Sequence, residues 1–172
     1  IPFTTHSVLK ISLLPTYAAA LGANTTNTCF SDSDVATAAN GGVIHHVGWD
    51  IRYNSYRVEN AFEGSDSQYA HSISNPELPL PLQFEYSNPR AIGAYAVKAR
   101  DQNNYANCDT PSDWTFDGSN DGLSYTTLDC VSNETDWSHY ETRIFKIDPS
   151  RVTSFKFYRL NIWKSRGRAG SL

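Results

Sequence analysis

The sequence predicts an all-β protein, an antiparallel β-sandwich or jelly roll, and three features of the chain lead there. Roughly eight short apolar segments are separated by Gly, Pro, Asn and Asp turn signals. No βαβ rhythm appears, and helical periodicity is nearly absent. At 172 residues, 40% apolar and 19% charged, the chain is long enough for one substantial core. The aromatic share is high at 13%, with ten Tyr and four Trp. Those rings pair a broad apolar face with a polar tip, which suits strands, interfaces and sugar-stacking surfaces alike.

Residues 6–14 carry Val8, Leu9, Ile11, Leu13 and Leu14, a short apolar strand or one buried helical turn that stops at Pro15. An Ala-rich stretch over 17–21 ends at Gly22, and 24–40 reads as a Thr/Asn/Ser-rich loop closed by Gly41-Gly42. Residues 1–45 are therefore an N-terminal extension that contributes a strand, and 46–172 form the sandwich. Alternation begins at 49–53. A polar loop follows at 63–67 and a short strand at 69–73. Leu80, Leu82, Phe84 and Tyr86 alternate with Pro81, Gln83 and Glu85; Asn88-Pro89 predicts a turn, and 91–100 a second strand with Tyr95 and Val97 on one face.

The central signal is W-T-F-D-G-S-N-D-G-L-S-Y-T-T-L-D over 114–129, two alternating runs joined by 118–122, a hairpin with Trp114 in the core. A loop over 130–140 leads to strands at 142–147 and 152–163, the latter the strongest in the chain.

Net charge is −4, and the basic residues Arg159, Lys164, Arg166 and Arg168 make a solvated rim, so nucleic acid is not the expected partner. No apolar run approaches the ~18 residues of a membrane span. The chain starts at Ile1 and lacks Met, and it reads as a processed product or excised segment. Cys108 and Cys130 bracket the hairpin at a spacing open to a bridge, with Cys29 left over. N-x-[ST] occurs at Asn24 and Asn133. The Thr/Ser/Asn/Tyr-rich surface points outside the cell.

Chemistry is sparse. His45-His46 would face opposite sides of a strand and cannot easily share a metal. The acidic turn of Glu63, Ser65, Asp66 and Gln68 around Gly64 offers oxygen ligands of the kind calcium prefers. There is no G-x-S-x-G, no redox cysteine pair and no legible carboxylate pair, so no catalytic residues are assigned and the chain is not expected to be an enzyme.

The stretch P-S-D-W-T-F-D-G-S-N-D-G-L-S-Y-T-T-L-D over 111–129 resembles the signature hairpin of the discoidin, or coagulation-factor (F5/8) type C, domain. Its neighbours extend the likeness in the right order: I-G-A-Y-A-V-K-A-R at 92–100, R-I-F-K-I at 143–147, F-Y-R-L-N-I at 157–162, and A-F-E-G then Y-A-H-S at 61–72. The resemblance covers roughly residues 58–165. It implies the galactose-binding-like jelly roll of carbohydrate-binding modules, non-catalytic, with ligand loops at one end and a structural calcium in the early loop. Carried over residue by residue, it implies glycan contacts from His71, Arg100 and Asn104, with Tyr69, Tyr105 and Trp163 as candidate stacking platforms. The metal ligands would be Glu63, Ser65, Asp66 and Gln68, with Glu63 standing where the family usually has Asp. The early-strand Trp of the family is Ala70 here. The family's last strand has no counterpart before Leu172, so residues 6–14 are expected to supply a neighbouring strand; the competing account is a fragment whose last strand was cut away or comes from a partner.

The expectation is thus a lectin-like recognition module for a galactose-containing glycan, part of a larger secreted, cell-surface or virion chain. The alternative is a structural or protein–protein adhesion module in an assembly, with no sugar binding.

Overall fold

The computed structural model describes residues 8–15, 42–45, 47–49, 57–62, 68–73, 76–99 and 109–165. Eight strands run through them: β1 (Val8–Pro15), β2 (Val43–His45), β3 (Ala70–His71), β4 (Leu80–Lys98), β5 (Pro111–Ser119), β6 (Thr126–Val131), β7 (Thr142–Lys146) and β8 (Ser154–Ser165). All pairings are antiparallel. One layer has the order β2-β4-β8-β5-β6, and the other β3-β1-β4-β7. No helix among the described residues is long and apolar enough to cross a membrane.

Strand β4 belongs to both layers. Leu80, Leu82, Phe84 and Tyr86 are buried, while Gln83 and Glu85 point outward, as the period of two requires. This half pairs with β2 and β8; beyond it, residues 92–98 pair with β1 and β7. The turn expected at Asn88-Pro89 is instead a register shift between Glu85 and Arg90 within one continuous strand. A proline is tolerated where the ladder is already interrupted. Tyr158 Oη donates to the Arg90 carbonyl at 2.6 Å and pins the chain as it changes layers.

The hairpin is present, with its second strand later than the alternation suggests. Asp121 Oδ1 accepts from the amides of Leu123 and Ser124 (2.8 and 2.7 Å), and Ser119 Oγ from that of Gly122. Those amides are therefore bound to side chains and cannot join a ladder. Leu123 is left 86% exposed, and pairing begins at Thr126. The same amides hold the Asp121 carboxyl at a pKa of about 2.

Both described strands from before residue 46 pair with β4: β1 at Lys10↔Lys98 through Leu14↔Ala94, and β2 at Val43↔Glu85 through His45↔Gln83. Of the strand expected over 49–53, Trp49 forms a single bridge to Ser72, and residues 50–53 lie outside the described residues. Trp49 Nε1 donates to the Pro81 carbonyl at 2.7 Å.

The core is aromatic. Tyr95 stacks between Phe116 and Phe145 at centroid distances of 4.3 and 5.3 Å, and Phe116 stacks on Tyr158 at 5.6 Å. Trp114, 1% exposed, meets Phe145 edge-on at 5.1 Å. Its Nε1 donates to Tyr95 Oη at 2.8 Å, and Tyr95 Oη donates to Asp129 Oδ2 at 2.7 Å. The polar tips of Trp114 and Tyr95 thus find partners on the way to the surface. Cys130 is an exposed free thiol; Cys29 and Cys108 lie outside the described residues.

Candidate binding site at one end of the sandwich

The pairing registers gather several chain ends at one pole. Strand β8 ends where β5 begins (Pro111↔Ser165), and β4 begins beside the same part of β8 (Leu80↔Ile162). In the other layer, the end of β4 lies beside the start of β7 (Lys98↔Thr142) and the start of β1 (Lys10↔Lys98), and β1 in turn pairs with β3 (Val8↔His71). The two layers meet at this pole through the loop 132–141. Glu134 N donates to the Ser112 carbonyl at 2.9 Å, and Ala99 N to the Glu141 carbonyl at 2.8 Å.

Of the residues expected to contact a ligand, His71 is half-buried on β3 at this pole. Trp163 is 51% exposed near the end of β8; its neighbours Leu160 and Ile162 are buried, so the indole stands on the outer face of the larger layer. Tyr69 is 4% exposed and packs inward, so its ring face is not open to a ligand. Arg100, Asn104 and Tyr105 lie outside the described residues, as do Glu63, Ser65 and Asp66 of the expected calcium loop. Gln68 is half-buried, three residues before His71. Among the described residues no group of three His, Cys, Asp or Glu side chains is arranged to hold a metal.

The loop 132–141 carries features that the sequence does not announce. All three non-glycine residues with positive φ among the described residues fall in it: Asn133 (55°), Asp136 (60°) and Tyr140 (59°). Asn and Asp visit this region readily; for a bulky aromatic it is an outlier, with a cost on the order of 1–3 kcal/mol. Arg143, from β7, holds the loop in place. Its Nε donates to Glu141 Oε1 at 2.7 Å and its Nη2 to Glu141 Oε2 at 3.0 Å. Further bonds reach Glu134 Oε1 and the carbonyls of Thr135 (2.8 Å) and Asp136 (2.9 Å). The guanidinium lies 4.2 Å from the centroid of the buried Trp137 ring. The paired charges hold the Glu141 carboxyl below its ordinary value, through the Arg143 hydrogen bond first, and raise Arg143. Held this way, the loop presents His139 and Tyr140 at its tip, with ring centroids 5.1 Å apart and Tyr140 42% exposed.

A second polar cluster lies away from this pole, on the outer face of the larger layer. Asp117 accepts from Arg159 Nη2 at 2.9 Å and from Thr127 Oγ1 at 3.0 Å. The Arg159 guanidinium covers the Tyr125 ring at 3.7 Å, and Tyr125 Oη donates to Gln83 Oε1 at 2.7 Å. Glu85 lies between Lys156 Nζ (2.8 Å) and His45 Nε2 (3.4 Å). These groups satisfy one another across β2, β4, β8, β5 and β6, which fits a role in stitching the layer together.

No protein-family model matches the chain, and no curated protein matches it in sequence. Solved structures do. The module CBM32-1 of a family 31 glycoside hydrolase from Clostridium perfringens aligns with a TM-score of 0.55 at 14% identity, over 74% of this chain and 89% of that one. CpGH89CBM32-5, also from Clostridium perfringens and solved in complex with GalNAc-β-1,3-galactose, aligns with a TM-score of 0.58 at 14% identity, over 77% and 91%. The family 32 carbohydrate-binding module of Streptococcus pneumoniae EndoD aligns with a TM-score of 0.55 at 11% identity, over 81% and 91%. The chain therefore has the antiparallel β-sandwich fold of family 32 carbohydrate-binding modules, the galactose-binding-like, discoidin-type architecture.

Proposed function

We propose that this chain is a non-catalytic glycan-binding module that takes a galactose-containing sugar at the pole described above. The observation that carries the reading is the placement of His71 on β3, one strand (β1) away from the exit of β4, in a sandwich shared with three carbohydrate-binding modules. Arg100 follows directly on Ala99 in the sequence, and the Ala99 amide is bonded to the 132–141 loop. Imidazole and guanidinium N–H groups suit in-plane bonds to sugar hydroxyls, with Asn104 adding an amide. Tyr105 would offer the apolar face of the sugar a ring to pack on, while Trp163 faces outward from the other layer and is set apart from His71. Calcium, held by Glu63, Ser65, Asp66 and Gln68, would brace the loop that enters β3. The setting this suits is a larger secreted, cell-surface or virion chain.

A shallow site with few polar contacts binds one sugar weakly, with a dissociation constant on the order of 1 mM, about −4 kcal/mol. Glycan-array screening followed by titration calorimetry tests the reading. A galactosyl ligand whose binding is lost in His71→Ala and in Arg100→Ala, with the fold intact by circular dichroism, is the expected result. Absence of any glycan ligand together with concentration-dependent self-association would replace it with an adhesive role in an assembly.

A further inference from the structure

We propose that His139 and Tyr140 form a second saccharide platform, so that the module reads an oligosaccharide rather than a lone terminal sugar. The inference rests on the glycan-binding reading above and extends it to a loop outside the residues assigned there.

Three observations support it. First, position: the loop 132–141 is tied to both layers at the pole that carries His71, through Ser112 on one side and Ala99 on the other. In the order β3-β1-β4-β7, the two sites are separated by three inter-strand spacings, about 14 Å. That is wider than a single pyranose ring and within the reach of a short linear oligosaccharide. Second, presentation: Tyr140 and His139 are exposed side by side, and the Lys98 ammonium lies over one face of the Tyr140 ring, 5.6 Å from its centroid. An exposed aromatic ring with an imidazole beside it is what the apolar side and the hydroxyl rim of a sugar require.

Third, the backbone. A tyrosine at φ 59° is disfavoured, and Asn or Gly would sit there without strain. Arg143 spends its whole guanidinium on keeping the surrounding loop in this shape. Strain maintained by a rigid frame, with the strained residue exposed, is the pattern of a binding element formed before its ligand arrives.

The test is titration calorimetry of the full chain with galactose and with lacto-N-neotetraose, a linear galactose-terminated tetrasaccharide, in the wild type and in Tyr140→Asn. The wild type is expected to bind the tetrasaccharide about tenfold more tightly than galactose. Tyr140→Asn should weaken the tetrasaccharide by about three- to tenfold and leave galactose unchanged. Because Asn tolerates this φ, the melting temperature of the variant should hold or rise. Equal affinity of the wild type for the two sugars would overturn the inference, as would a Tyr140→Asn variant that binds both as the wild type does. A parallel loss of both affinities with a lowered melting temperature would overturn it too, making Tyr140 a structural residue. Binding of neither sugar by the wild type would remove the galactose reading itself, an outcome distinct from loss of the second platform alone.

Discussion

Replacing Tyr95 by Phe isolates the value of the relay from Trp114 to Asp129. The substitution keeps the ring that stacks on Phe116 and Phe145 and removes one oxygen. That oxygen accepts from the buried Trp114 Nε1 and donates to Asp129. Asp129 is half-buried and regains water, so its loss is small; the indole N–H is left in the core without an acceptor. An orphaned buried donor costs roughly 1–3 kcal/mol, so about 2 kcal/mol is expected. For a chain of this size each kcal/mol moves the melting temperature by about 2–4 °C, which gives a drop of about 4–8 °C in calorimetry. The variant also carries a pH signature. Burial first, then the Asp129 charge, pushes the Tyr95 phenol far above its ordinary value of 10.0, and burial pushes Tyr158 up to about 12. The folded chain keeps these protons where the unfolded chain releases them, so stability is intact below pH 10 and falls as pH rises past it. Tyr95→Phe should flatten that alkaline decline. A loss below about 0.5 kcal/mol, the range of an ordinary surface change, would refute the relay as a stabilising element.

Other outcomes follow from the same contacts. At Gly118, an added Cβ would lie 2.3 Å from Phe155 Cδ2, so Gly118→Ala should destabilise by about 1–3 kcal/mol in urea titration while leaving the far pole's sugar affinity unchanged. The Glu141 carboxyl is lowered chiefly by its hydrogen bond to Arg143, and Glu85 chiefly by that to Lys156. The stability they contribute is present above the ordinary carboxylate value and lost as pH falls through their lowered folded values; Glu141→Gln should blunt the acid limb of a melting-temperature profile. Saturating calcium should raise the melting temperature, since a ligand that binds only the native chain stabilises it, and Asp66→Ala should abolish the rise; an unchanged wild-type melt would count against the early loop as a calcium site.

Much of the sandwich is legible in the sequence because a half-buried strand writes its own alternation. Leu80 to Tyr86 and the Trp114–Phe116 pair are read that way, and their side chains are in the core. The continuity of β4 is not legible, because Asn88-Pro89 marks a turn equally well whether the chain reverses or changes layers. The late start of β6 is hidden for a different reason. Leu123 and Tyr125 have the right spacing, and only the Asp121 side chain, by capturing two amides, keeps them out of the ladder. At the pole, the proposed role of His71 rests on a family likeness. The left-handed backbone of Tyr140 is not legible, since nothing in the residue type predicts it; the surrounding loop is held by Arg143 and its partners, assembled from residues 134 to 143.

Strand β4 also sets how the molecule opens. It is hydrogen-bonded on both sides in each layer, to β2 and β8 and then to β1 and β7. Its inner amides should exchange with solvent only when the whole domain unfolds, whereas β6 and β7, each paired on one side among the described residues, can open at lower free energy. The pole would then combine a slow-exchanging seam with fast-exchanging rims, and a ligand spanning from β3 to the β7 entrance would register as protection at the rims alone.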